Sequence, residues 1–379
     1  MSARTSNGPG ILTRIFGSQW FVSVLAVLIA FVIGAVLIAL SGASVVGAYY
    51  AMFRGSIIDP NAATFVRQIK PLTDSLFYSI PLIISGLGLA LGFRAGLFNI
   101  GGKGQIIVGA LAAVWVGFAV NLPPVLHTLV ALLVAIIAGG LYGGIAGVLK
   151  AKTGANEVIV TIMLNSIATL GLGYTLTQKA WQVPGSNQPV TPKVADSAAL
   201  ARLLPAPFKL HVGFIVALVA LAFFWWLIER STLGFQIRAV GANAAAARTA
   251  GISVERITAI TMVLSGAFLG LAGANEALGT IGYVSRDVAG SIGFDAITVA
   301  LLGRNKTWGT FGAGLLFGAF KAGGYTMQAK GVPIDMILIL QSVIVLLIAA
   351  PALVRWLFRL PDVRALAAQT RKGNADEHK

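Results

Sequence analysis

Apolar residues in this chain gather into long runs, and the short stretches between them hold most of the charges. A helix needs about 20 residues to cross a hydrocarbon core. Runs approaching that length fall near 19–41, 75–93, 105–121, 124–149, 157–178, 211–229, 257–276, 291–303, 308–326 and 334–355. The pattern predicts an all-α, polytopic helical membrane protein with about ten spans. The third and eighth runs are short, and if either is broken or re-entrant the count falls to eight or nine. The expected organisation is a cytoplasmic segment 1–18, a single transmembrane domain 19–355 and a cytoplasmic tail 356–379. The first run is too long for the apolar core of a cleaved signal and reads as a retained signal-anchor helix. The stretches near 42–74 and 179–210 exceed a tight connection and are expected to be outer loops.

Composition removes the soluble alternative. Apolar residues make up 57% of the chain and charged residues 11%, against about 45–50% and about 25% in a soluble domain. In a soluble protein the formal charge of +15 would point to nucleic acid, but here the basic residues lie between spans. With ten spans and an internal N-terminus, 18 of the 28 Lys and Arg residues fall on the cytoplasmic side. That bias predicts an inner (plasma) membrane protein with both termini inside and no nucleic-acid partner. Cysteine is absent, which excludes disulfides, thiolate metal sites and cysteine nucleophiles. His127, His211 and His378 are scattered without ligand spacing, so neither a metal site nor a catalytic cluster is expected.

Three segments carry candidate function. Gly102-Lys103-Gly104 resembles the end of a phosphate-binding loop, but that loop needs glycine where Leu97 stands and Ser or Thr where Gly104 stands. The segment is therefore no nucleotide-binding loop, and ATP-driven transport would require a separate ATPase. The stretch 231–252 lies in the cytoplasmic loop 230–256. There Asn243 is a good N-cap, alanines 244–247 favour helix, and Gly251 suits a left-handed end. The prediction is a short helix over 243–251, a knob shaped for a groove on a partner. In the fifth span Glu157, Thr161, Asn165 and Thr169 recur every four residues, which winds one polar stripe along a helix. A carboxylate at the bilayer centre costs about 2.5–3.5 kcal/mol, so the stripe is expected to face the bundle interior or a wet path. Asp295 and Asp335 each precede an apolar run and read as first-turn carboxylates. The 45 glycines, several four residues apart as at Gly266 and Gly270 or Gly314 and Gly318, predict close helix packing.

The segment 93–105 (Phe-Arg-Ala-Gly-Leu-Phe-Asn-Ile-Gly-Gly-Lys-Gly-Gln), then Asn156-Glu157-Val158-Ile159 through Thr161 to Asn165, then Arg238 to Asn243 and Ala250-Gly251-Ile252, resembles the bacterial nucleoside-type permeases of the ABC importers. Ribose-type and branched-chain amino-acid permeases belong to the same superfamily. The likeness runs in order over roughly 20–355, with Gly102-Lys103 where the family often has Ala-Glu. It implies a type II importer fold and a nucleoside substrate, with a sugar or branched-chain amino acid as the alternative. It also implies partners: an ABC ATPase subunit that hydrolyses the ATP, a second homologous permease, an extracytoplasmic substrate-binding protein and membrane lipid. No cofactor is implied in this chain. The segment 243–251 takes the place of the coupling helix, with Gly241, Asn243, Ala246, Arg248 and Gly251 as its candidates. Candidates for the solute path are Phe98, Asn99, Gln105, Thr161 and Asn165, and Phe98 and Trp115 offer rings for stacking on a base. An ion-coupled secondary transporter is the weaker reading, because the intramembrane charges lie mostly near helix ends.

Overall fold

A computed structural model describes residues 19–347, apart from 184, 187, 330, 334, 335, 337, 340, 341, 344 and 345. Within these, twelve α-helices follow one another: α1 (Gln19–Leu40), α2 (Val45–Ser56), α3 (Phe65–Arg94), α4 (Gly102–Ala119), α5 (Leu126–Thr153), α6 (Glu157–Thr175), α7 (Gly213–Arg230), α8 (Thr232–Ala242), α9 (Ala244–Thr249), α10 (Val254–Asn275), α11 (Ile292–Leu302) and α12 (Thr307–Gln328). A π-helical turn, Glu276–Ile281, continues α10. There is no strand among the described residues. Among the described residues six helices are long and apolar enough to cross a membrane: α3 to α7, and α10 with its π turn. Shorter apolar helices lie at Val27–Leu40 and Ile292–Leu302. Nine of the ten expected spans coincide with helices, while the tenth and Asp335 fall largely outside the described residues.

One expectation fails. The stretch 42–74 is not a loop, because it holds all of α2 and the first ten residues of α3. Thr64 caps α3 by accepting from the Arg67 N–H, and the helix runs on through Pro71 and Pro81. Proline reads locally as a breaker, but around Pro81 the helix is buried and its packing overrides that preference.

The chain divides into two compact units, one of 51–326 and one of 19–50 with the described residues from 327 onward. In the smaller unit the Tyr49 hydroxyl donates to the Phe31 carbonyl, and the two rings meet edge to face at 5.4 Å. In the larger unit α10 packs against α5, α4 and α3, and α11 against α3. Lipid supplies no hydrophobic drive between helices, so close backbone approach must supply the contact. Glycines permit it. A Cβ on Gly266 would run into the Gly139 carbonyl oxygen, one on Gly270 into that of Ala135, and one on Gly273 into that of Ile106. The irregular segment after α6 is held down rather than free. Its residues 191, 194 and 200 donate to the carbonyls of Val284, Gly282 and Leu278. Fully buried His127 also bonds Ser197 Oγ and the Val116 carbonyl, each at 2.9 Å.

Candidate solute path and coupling site

The turn after α3 forms because Gly96 takes φ +73°, a left-handed conformation that glycine adopts without penalty. The Leu97 N–H then reaches back to the Gly92 carbonyl at 2.9 Å, closing the helix end. Asn99 follows, and its Oδ1 accepts from the Gly101 N–H at 2.9 Å just before α4 begins. The chain thus re-enters the bundle as a tight loop whose backbone groups need partners from elsewhere.

Those partners are the predicted stripe on α6. Glu157 Oε1 accepts from the Phe98 N–H at 3.4 Å, and Thr161 Oγ1 accepts from the Ile100 N–H at 3.3 Å. Asn165 uses its whole amide: Oδ1 accepts from the Gly104 N–H and Nδ2 donates to the Ile100 carbonyl, both at 2.8 Å. The other Glu157 oxygen pairs with Lys150 at 2.6 Å. Thr169, the fourth member, is exposed and bonds only the Asn165 carbonyl of its own helix. Inside the loop, Asn99 Nδ2 donates to Gln105 Oε1 at 3.1 Å and to Ser265 Oγ on α10 at 2.9 Å. Asn99, Gln105, Thr161 and Asn165 are all buried, while Phe98 is 38% exposed with its ring on Phe93.

Five candidates from two distant segments therefore meet in one hydrogen-bonded hub. Trp115 does not join them. It stacks with Trp181 and Phe118, thirteen residues into α4 and about 20 Å along that helix from its start. Sequence reasoning missed Ser265, since one serine in an apolar helix gives no local signal.

The expected short helix over 243–251 forms as α9 with Asn243 as its cap, and a second helix, α8, runs up to that same residue. Asn243 is extended at φ −161°, ψ 106°, and its side chain accepts from the Ala246 N–H at 3.1 Å. Gly251 sits at φ +80° beyond the end of α9. Between the two helices lies a cleft of about 630 Å³, lined by Phe235, Ala239, Ala246 and Ala250 among others. Ala246 is exposed and Ala247 buried. Arg248 already pairs with Glu255 at 2.6 Å, both well exposed, a solvent-screened contact that a partner can displace. Gly241 lies against the end of α3, where a Cβ would strike the Arg94 carbonyl oxygen. Arg94 in turn donates to the Asn305 carbonyl at 2.7 Å and stands 4.0 Å from Glu229.

A family profile described as "Branched-chain amino acid transport system / permease component" matches residues 72–349. The chain belongs to this family. The permease is 39% identical over 349 residues to the guanosine ABC transporter permease protein NupP of Bacillus subtilis, covering 89% of this chain and 95% of that one. It is 31% identical over 359 residues to the nucleoside ABC transporter permease protein NupB of Lactococcus lactis, covering 92% and 94%. It is also 35% identical over 333 residues to the glucose ABC transporter permease protein TsgB13 of Haloferax volcanii, covering 85% of each. No solved structure matches it. As a member of this family the permease is a transport subunit without an ATPase site of its own, and ATP-hydrolysing and substrate-binding partners go with the family. Among its described residues no cluster of His, Asp or Glu could hold a metal.

Proposed function

We infer that this chain is the membrane-spanning subunit of an ATP-driven importer that takes up nucleosides. The observation that carries the substrate is the 39% identity to a guanosine permease over nearly the whole of both chains. A sugar is the second reading, favoured by the 35% identity to a glucose permease. In this reading the chain pairs with a second permease, receives solute from an extracytoplasmic binding protein and has both termini in the cytoplasm, in line with the basic-residue bias. A cytoplasmic ATPase docks on α8 and α9. Gly241 against the end of α3 then passes its motion to the 95–101 turn, and the hub on α6 and α10 carries it into the bundle.

The test uses cells without nucleoside uptake of their own that express the chain together with an ATPase, a second permease and a binding protein from the same source. They are expected to accumulate guanosine, and to stop when ATP is depleted while the proton gradient is kept. Accumulation that survives ATP depletion and collapses with the proton gradient would reject the reading in favour of an ion-coupled transporter.

A further inference from the structure

At the opposite end of α3 from the hub, four helices bring charged and aromatic groups together in an otherwise apolar bundle. Lys70 and Asp74 form an ion pair one turn apart on α3, and Tyr78 follows on the same face. Tyr325 of α12 lies 5.4 Å from Tyr78, ring to ring, with a tilt of 37°. Lys321, one turn before it, holds its ammonium 6.0 Å from the centre of the Tyr78 ring. Glu276 opens the π turn, and Asp295 lies in the first turn of α11, where Ser291 donates to it at 2.6 Å. Lys321 is within electrostatic reach of both carboxylates.

These charges are arranged without being joined. Among the described residues neither Glu276, Asp295 nor Lys321 has an ion-pair partner within 4 Å, although all three are half-buried. The hydroxyl of Thr280, 3.4 Å away, is the one hydrogen-bond donor to the Glu276 carboxylate there. Among the described residues the second, buried oxygen of Asp74 has no hydrogen-bond partner. Ionisable groups at membrane depth normally pair, and those held apart in this way mark a solute route. Glu276 is the first residue of the π turn, an irregularity that recurs at functional sites. Asp295 therefore does more than complement a helix dipole.

We propose that Glu276, Asp295 and Lys321, with the tilted rings of Tyr78 and Tyr325, form a solute-contact site on the outer half of the path, built for a neutral solute that has a flat ring and hydroxyl edges. This rests on the nucleoside reading and deepens it. The carboxylates accept from ribose hydroxyls or base N–H groups, and the ammonium donates to a base carbonyl or ring nitrogen. Tyr325, 45% exposed, offers an open ring face to the base. A free sugar would use the charged groups but gain less from the rings.

The experiment uses the complete importer in proteoliposomes, with radiolabelled guanosine and glucose as probes and ATP hydrolysis measured alongside. Glu276→Gln and Tyr325→Ala are each expected to lower the guanosine uptake rate about tenfold, while hydrolysis stimulated by the loaded binding protein stays within about twofold. ATP hydrolysed per guanosine therefore rises, and Tyr325→Phe restores what Tyr325→Ala loses. Wild-type guanosine uptake in both variants overturns the site and leaves the nucleoside reading standing. Equal loss of uptake and hydrolysis in both also overturns it, since that marks a scaffold. If the unaltered importer carries glucose and not guanosine, the nucleoside reading fails, and the solute class assigned to this site falls with it.

Discussion

Both ends of the Asn165 amide are committed, one to the loop between α3 and α4 and one to the first turn of α4, so its loss should be felt first in the fold. Asn165→Leu leaves the Gly104 N–H and the Ile100 carbonyl without partners, and each buried orphan costs about 1–3 kcal/mol. Thermal unfolding in detergent is expected to shift down by several degrees, with uptake falling only as far as the folded fraction does. Thr169→Val, on the exposed end of the same stripe, should change neither. Full stability with lost uptake in Asn165→Leu would instead assign the residue to the solute path itself. The stripe was legible beforehand because four polar residues at a spacing of four stand out in an apolar run. Its target was not legible: nothing local in the 98–105 segment says which helix will satisfy its backbone. Ser265 became part of the hub only because α10 packs on α4.

Between elements, glycine decides where helices meet, and position rather than composition sets its worth. Gly266→Val puts a branched side chain into the Gly139 carbonyl and the Gly143 Cα, backbone atoms that cannot rotate away. Separation of α5 from α10 is expected, read as loss of folded protein in the membrane fraction. Gly171 on α6 meets nothing within 4 Å, so Gly171→Ala should be tolerated and gain about 0.5–1 kcal/mol of helix propensity. Equal behaviour of the two variants would show that α5 and α10 do not need their close approach. The spans were readable from apolar run length, and the cap at Asn243 from residue type. The helices α2 and α8 were hidden for a shared reason. Gly47 and Gly55 weaken α2 and Gly234 and Gly241 weaken α8 by local propensity, whereas in the fold Gly55, Gly234 and Gly241 are each required by a tight tertiary contact.

For the molecule as a whole, the question is whether the broken helix pair α8–α9 docks a motor or only connects two spans. Two substitutions separate docking from transmission. Ala246 is exposed beside the α8–α9 cleft, so Ala246→Trp should fill that cleft and block a partner while disturbing nothing inside the chain. The expected result is loss of ATPase co-purification with the permease still inserted. Gly241 is different, because a side chain there collides with the Arg94 carbonyl. Gly241→Val should lift α8 from the end of α3 and leave the partner-facing surface of α9 intact. The ATPase should then still co-purify and hydrolyse ATP, but uptake should fall at least tenfold, because the contact that carries its motion to the 95–101 turn has opened. If Gly241→Val keeps wild-type uptake per bound ATPase, force does not travel through α3. If Ala246→Trp keeps its ATPase and its uptake, the α8–α9 pair is only a connection, and the docking surface lies on another part of the chain.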